Sequence, residues 1–428
     1  MTRSAVRPRR FGGVLLLALT TTLLLTLAFS GVALAETFRA DQLADLQDSE
    51  PGDGRCDASS EPGDQCTLRA ALQESNALDG RDTVVLIEGT YLLTLPGLDT
   101  NGDGFPDAEQ RAATGDLDIK DETTVRGAGL NDTTVQNAVN DRHFHVQRRL
   151  TSATISGLTL TNGNGVDGTN SGRGGGILNM STLLLEEVAL RQNRGLFGGA
   201  IDNRGTLTMK GTTVDDNEGV FGGGLYNEGQ LRITDSTISN NAANRGIADN
   251  GGLGGGLYNT ANASLTNTTI ASNTAQERGG GLYNVFGDAR LLNVTINQNG
   301  SSEGASVANT SGRTYLENTI VANGTGGRNC DGARTISRGN NLADDRSCNL
   351  DERGDREGGD PLLSPIPDDD DPLAQIFRPG PGSPAIDAGD DGACPALDQR
   401  ALERPKDGDG DGAPLCDVGS VEARPQGS

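Results

Sequence analysis

Between Gly174 and Asn323 the chain repeats one hydrophobic and polar schedule six times. Small residues come first, then a short apolar stretch, then an asparagine. The runs are GGGILN, GGAIDN, three copies of GGGLYN, and GASVAN, starting at Gly174, Gly198, Gly222, Gly254, Gly279 and Gly304. Each closes on an asparagine: Asn179, Asn203, Asn227, Asn259, Asn284 and Asn309. A second asparagine follows 14 residues later, or 15 in one copy, at Asn193, Asn217, Asn241, Asn273, Asn299 and Asn323. Three places before it stands an apolar residue (Leu190, Val214, Ile238, Ile270, Ile296, Ile320), and eight places before it another (Leu185, Met209, Ile233, Leu265, Leu291, Tyr315). Glycine triplets and alternating Thr, Ile, Val and Leu exclude helical rungs, whereas strands of a few residues separated by turns fit every copy. A period in the twenties means stacked units that bury their apolar faces only against one another. The pattern predicts an all-β chain, a parallel β-helix. Like side chains then stack about 4.8 Å apart, turning the asparagine columns into amide ladders and the apolar columns into a dry core. That stacking also gives a structural reason for Asn-x-Ser/Thr sequons such as those at Asn267, Asn293 and Asn323.

The schedule changes at both ends. Thr67 is placed to cap a helix carrying Leu68, Ala71 and Leu72 on one face, and DTVVLIEGTYLL follows as the first alternating strand. Residues 36–82 are therefore expected to form a helical N-terminal cap, residues 83–350 the repeats, and residues 351–428 a C-terminal cap. At about 24 residues per rung the array holds roughly 11 rungs. Ahead of the cap, Arg3, Arg7, Arg9 and Arg10 precede an apolar stretch from Val14 to Phe29 and then Ala33-Leu34-Ala35, the three parts of a secretory signal over residues 1–35. No later segment is apolar and long enough to span a bilayer. An exported protein, extracellular or on the cell surface and monomeric, is expected.

Six cysteines sit outside the six-copy array of Gly174 to Asn323, in three local pairs: Cys56 with Cys66, Cys330 with Cys348, Cys394 with Cys416. An oxidising compartment favours short-loop disulfides within those pairs, although six cysteines allow about 15 connectivities. Four arginines leave with the signal, taking the 35 basic residues to 31 against 59 acids. So acidic a chain argues against a nucleic-acid partner. It does suit divalent cations. The segment DTNGDGFPDAEQ spaces Asp99, Asn101, Asp103 and Asp107 as in the calcium loops of EF-hand and dockerin-like modules, with Gln110 in place of the closing glutamate. Asp116 and Asp118 follow on one strand and could add ligands. A weaker second run comprises Asp407, Asp409, Asp411 and Asp417. Calcium is the expected cofactor, and a solvated acidic turn is the alternative for both runs.

The run Cys66-Thr67-Leu68-Arg69-Ala70-Ala71, with Gln73-Glu74-Ser75-Asn76-Ala77 behind it, resembles the CSLREA domain of bacterial exported proteins. ATGDLDI, TVRGAG, DRHFHV and ISGLTLTNG continue the resemblance. DPLLSPI, SPAIDAG, CPALDQR and CDVGSVE resemble the choice-of-anchor Q region. The resemblance implies a right-handed β-helix like those of pectin lyases and polymorphic outer-membrane proteins, located on or outside the cell. It implies no established activity, and covalent anchoring through the sorting tail that some relatives carry is not expected.

Candidate chemistry is sparse. Asp215-Asp216 stands without the Gly-His-Gly and Arg-Ile-Lys of polygalacturonases. His143 and His145 flank Phe144 and alternation points them to one side of a strand, where surface or half-buried imidazoles are commoner than a general base. Lys120, beside Asp116, Asp118 and Asp121, is the one candidate base for a calcium-assisted lyase. A binding surface has more behind it. Leu225 and Asn227 share a strand face, so Tyr226 takes the other, and Tyr258 and Tyr283 repeat that slot. Facing solvent, the column would offer a row of rings on which sugars stack; packed on loops, it would be structural. The expected function is a non-catalytic, calcium-stabilised surface scaffold that binds glycans or matrix and cell-surface partners. The alternative is a calcium-dependent polysaccharide lyase or glycoside hydrolase.

Overall fold

The computed structural model describes residues 35–58, 65–97, 112–148, 152–166, 172–245, 251–366 and 374–423. Asp99, Asn101, Asp103 and Asp107 of the expected calcium loop and the expected signal segment lie outside the described residues. The described chain forms a right-handed parallel β-helix, with one 18-stranded sheet, one of nine strands and a third of three short strands. The sequence period is the rung register: Ile177, Ile201, Leu225, Leu257, Leu282 and Val307 pair in succession. All six are buried, and they belong to a single core running from Phe38 to Leu350.

Glycine opens each repeat because the turn demands it. Gly174, Gly198, Gly222, Gly254, Gly279 and Gly304 all have φ between 60° and 75°. A Cβ there would lie as little as 1.9 Å from the carbonyl oxygen three residues on. Both asparagine columns become buried ladders. Nδ2 of Asn179, Asn203, Asn227 and Asn259 donates to Oδ1 of the next asparagine at 2.7 to 2.8 Å. In the second ladder each Oδ1 from Asn217 to Asn299 accepts both the amide and the backbone N–H of the asparagine before it. These groups are shielded from water, so an unmet amide would be costly and the ladder is its solution.

The sixth copy breaks the expected count. Ile296 pairs with Val321, and Leu291 with Leu316, so the rung is shifted by one residue. Asn323 therefore misses the ladder and takes the left-handed corner slot already held by Gln192, Asp216, Asn240, Ser272 and Gln298. Tyr315 likewise points outward beside Arg290 while Leu316 fills the core.

The helix Leu68–Ala77 covers the first rungs, with the Thr67 hydroxyl accepting from Ala70 N–H at its N-cap. Its buried face also carries Arg69, paired with Asp45 at 2.6 Å and donating to the carbonyls of Ala112 and Gly115. All three local disulfides form, at Cys56–Cys66, Cys330–Cys348 and Cys394–Cys416.

After the last rung the chain turns back along the side of the solenoid. The strands Leu363–Ile366 and Ile376–Pro379 pair antiparallel. Residues 385–420 then dock on a corner where each long rung bends through a left-handed residue: Asn267, Asn293, Asn318 and Asn340, with φ of 47° to 55°. Their amides donate to the carbonyls of Leu397, of Asp417 and Gly419, of Asp390, and of Ala388. Asn267 and Asn293 are thus buried structural donors.

Candidate functional site

The outer face of the nine-stranded sheet gathers most of the candidate residues. Its central column reads Asp118, His145, Leu178, Asp202, Tyr226, Tyr258, Tyr283, Ala308 and Asp331 in successive rungs. Beside it runs a column made by the residue preceding each turn glycine: Arg173, Phe197, Phe221, Leu253, Arg278 and Glu303. Asp202 and the two phenylalanine rungs were legible from aligned repeats, because Asp202 takes the tyrosine slot of GGAIDN and the phenylalanines stand at a constant offset.

The tyrosine column exists in register, but its rings lie largely against other rings. Tyr226 and Tyr258 stack at 5.0 Å, and Tyr283 meets Tyr258 edge-on at 5.3 Å. Phe197 and Phe221 stack on each other at 5.3 Å and pack edge-on to Tyr226 and Tyr258. Tyr226 and Tyr283 are each 8% exposed, while Tyr258, Phe197, Phe221 and Leu253 are half-buried. The exposed aromatic surface is therefore a stripe whose outer edge is phenylalanine. Burial pushes the Tyr258 phenol up to about 12, so it stays a neutral hydroxyl. Tyr226 donates to Glu228.

Charged residues close both ends of the stripe. Asp202 is fully buried, and burial lifts its carboxyl to about 6 against the hydrogen bond from Arg173 at 2.9 Å. Arg204 lies 3.5 Å from Asp202 and 3.0 Å from Glu228, and the Arg173 guanidinium sits 4.5 Å from the Phe197 ring centre. At the far end Arg278 pairs with Glu303 and Asp331.

The two histidines part company. The strand begins only at Phe144, so alternation does not extend back to His143. His143 is buried, its Nε2 2.9 Å from the Thr161 carbonyl, and burial lowers its pKa to about 4, which keeps it neutral. His145 lies on the outer face with Nδ1 3.1 Å from Asp118 and Nε2 3.4 Å from the Met180 sulfur. The expected pair on one side of a strand is not formed. Asp118 also accepts from Gln147 at 2.6 Å, and Asp116 pairs with Arg142 at 2.8 Å. These two carboxylates have separate partners. Lys120 is half-buried and its backbone N–H donates to Asn76.

In the C-terminal region Asp407 and Asp409 join a residue that sequence spacing missed, Asp387; one oxygen from each lies within 4.8 Å of the others. Asp411 is exposed and accepts from Ala413 N–H, whereas Asp417 is buried and accepts from the backbone of Asp387 and Ala423. Neither adds to that cluster.

No protein-family model matches the chain, and no curated protein matches it. Among solved structures, pectate lyase Pel9A aligns over 92% of this chain and 98% of its own, at 16% identity and a TM-score of 0.48. The A-module of the Azotobacter vinelandii mannuronan C-5 epimerase AlgE6 aligns over 62% of this chain and 71% of its own, at 14% identity and a TM-score of 0.33. No residue role is carried over from either.

Proposed function

We propose that this protein is an exported, non-catalytic β-helix scaffold that binds polysaccharide on or outside the cell, with calcium as a stabiliser. The observation that carries the reading is the aromatic stripe. Half-exposed rings on consecutive rungs, flanked by guanidinium and carboxylate groups, offer stacking faces with polar edges, the chemistry that suits a pyranose. Three disulfides fit an oxidising compartment. No helix among the described residues is long and apolar enough to cross a membrane. The resemblance to CSLREA and choice-of-anchor Q regions bears on the location on or outside the cell and on no activity. The lyase or hydrolase alternative draws less support, since His143 is a buried neutral group and Asp116 and Asp118 are separately engaged.

Calcium would be held by Asp387, Asp407 and Asp409, an all-oxygen set suited to a hard cation, and by the Asp99 to Asp107 loop. Its part is structural, tying the loop around Gly410 to the rest of the C-terminal region.

The test is Phe197→Ala combined with Phe221→Ala, read by retardation in gels containing neutral or acidic polysaccharides. Both rings are half-buried, so folding should survive, with melting within a few degrees of the parent. Loss of retardation is expected; retention as strong as the parent's would remove the stripe from the account. In parallel, a chelator should lower the melting temperature of the parent and lower that of Asp387→Asn by less, since the variant keeps only the Asp99 to Asp107 loop.

A further inference from the structure

A groove of about 1070 Å³ lies on a different face, at the corner of the long sheet, where the C-terminal region stops short. Its floor is the stretch of corner residues Glu187, Gly211 and Asp235, on three consecutive rungs spanning about 10 Å. The loop 129–132 closes one end, with the Leu130 carbonyl accepting from Thr159. The loop 397–402 closes the other, anchored by Asn267 on the Leu397 carbonyl. The volume suits a compact ligand.

Charge decides which kind. Among the described residues, five carboxylates line the groove against three cationic side chains. Two of those cations are already committed, Lys210 to Glu186 at 3.0 Å and Arg400 to Asp398. Those pairs neutralise Glu186 and Asp398, whereas Glu187, which feels Lys210 only at longer range, and Asp132 have no arginine or lysine within ion-pair distance among the described residues, which leaves the site short of positive charge. Leu397 and Leu402 add apolar edges that are 46% and 38% exposed. A ligand that fills this space brings ammonium groups, hydrogen-bond donors and an apolar face together. An extended peptide is disfavoured because every floor strand is paired on both sides and offers no free edge for strand addition. A pyranose with an amino group has the required parts: C–H face, hydroxyl rim and charge.

We infer that this groove binds a short oligosaccharide of amino sugars, with Glu187 and Asp132 receiving its ammonium groups and Leu397 and Leu402 its ring faces. The site is separate from the aromatic stripe, and its occupancy does not depend on the function proposed above.

Calorimetric titration of residues 36–428 with a glucosamine trimer at about pH 6, where its amines are protonated, tests the assignment. The trimer should bind, its N-acetylated counterpart at least tenfold more weakly. Glu187→Gln with Asp132→Asn should weaken the glucosamine trimer at least tenfold while leaving the melting temperature and the polysaccharide gel retardation unchanged. Equal affinity for the two trimers, no binding of either, an unaffected double variant, or tighter binding of trilysine would each overturn it.

Discussion

One corner of the solenoid runs through two environments. Downstream, Asn267, Asn293, Asn318 and Asn340 hold the left-handed bend and lie under the folded-back C-terminal region; upstream, Glu187, Gly211 and Asp235 hold the same bend and line an open groove. The backbone requirement is identical in both stretches, and asparagine, glycine and aspartate all tolerate it. The difference lies in the second task of the side chain. Under cover, an amide satisfies carbonyls that have lost water; in the open, nothing needs a donor and the corner can turn acidic. The residue at a bend thus reports what lies above it.

Substitutions can break this contrast. The largest effect should come from Asn241→Ala, an asparagine unrelated to the covering segment, because its Oδ1 accepts two bonds and its Nδ2 donates to Val214 and Asn273. Denaturant unfolding should show a loss of about 3 kcal/mol or more, as several buried groups go unmet together. Asn293→Gly keeps the bend but takes one of two donors from the Asp417 and Gly419 carbonyls, which keep Arg404, and should cost about 2 kcal/mol with faster amide exchange across 416–420. Glu187→Gly, the same change in the open stretch, should stay within about 0.5 kcal/mol. Similar costs at residues 187 and 293 would dissolve the distinction.

Acidity sharpens it from another side. His143 is buried neutral with a pKa lowered to about 4, so the unfolded chain binds the extra proton first as pH falls. Stability from this group is complete above the ordinary histidine range and is lost between about pH 6.5 and 4, at roughly 1.4 kcal/mol per unit. Exchange at low pH should therefore accelerate in the rungs around Thr161 relative to the same rungs in His143→Gln.

Much of the fold was legible in the residues because a repeat states its own register: the glycine turns, the two inward columns and five members of each ladder follow from counting alone. Counting failed at Asn323 and Tyr315, where a rung gains a residue and a fixed offset then lands one place early. The return of residues 385–420 was hidden too, since Asn293 reads the same whether it stacks on its neighbours or holds a carbonyl 126 residues away. The site was half visible. Spacing placed Tyr226, Tyr258 and Tyr283 in one column, but only packing brings Phe197 and Phe221 over them. Asp387 could not be found from the Asp407 run because the chain between them folds as a loop that spacing does not record.

The most direct test is mass-spectrometric product analysis of neutral and acidic polysaccharides incubated with residues 36–428, with calcium or with a chelator, alongside gel retardation on the same polymers. A binding scaffold retards at least one polymer and leaves every chain intact in both conditions. Calcium-dependent release of oligosaccharides, unsaturated uronides above all, would contradict it and return attention to Lys120 and the Asp116 to Asp118 strand.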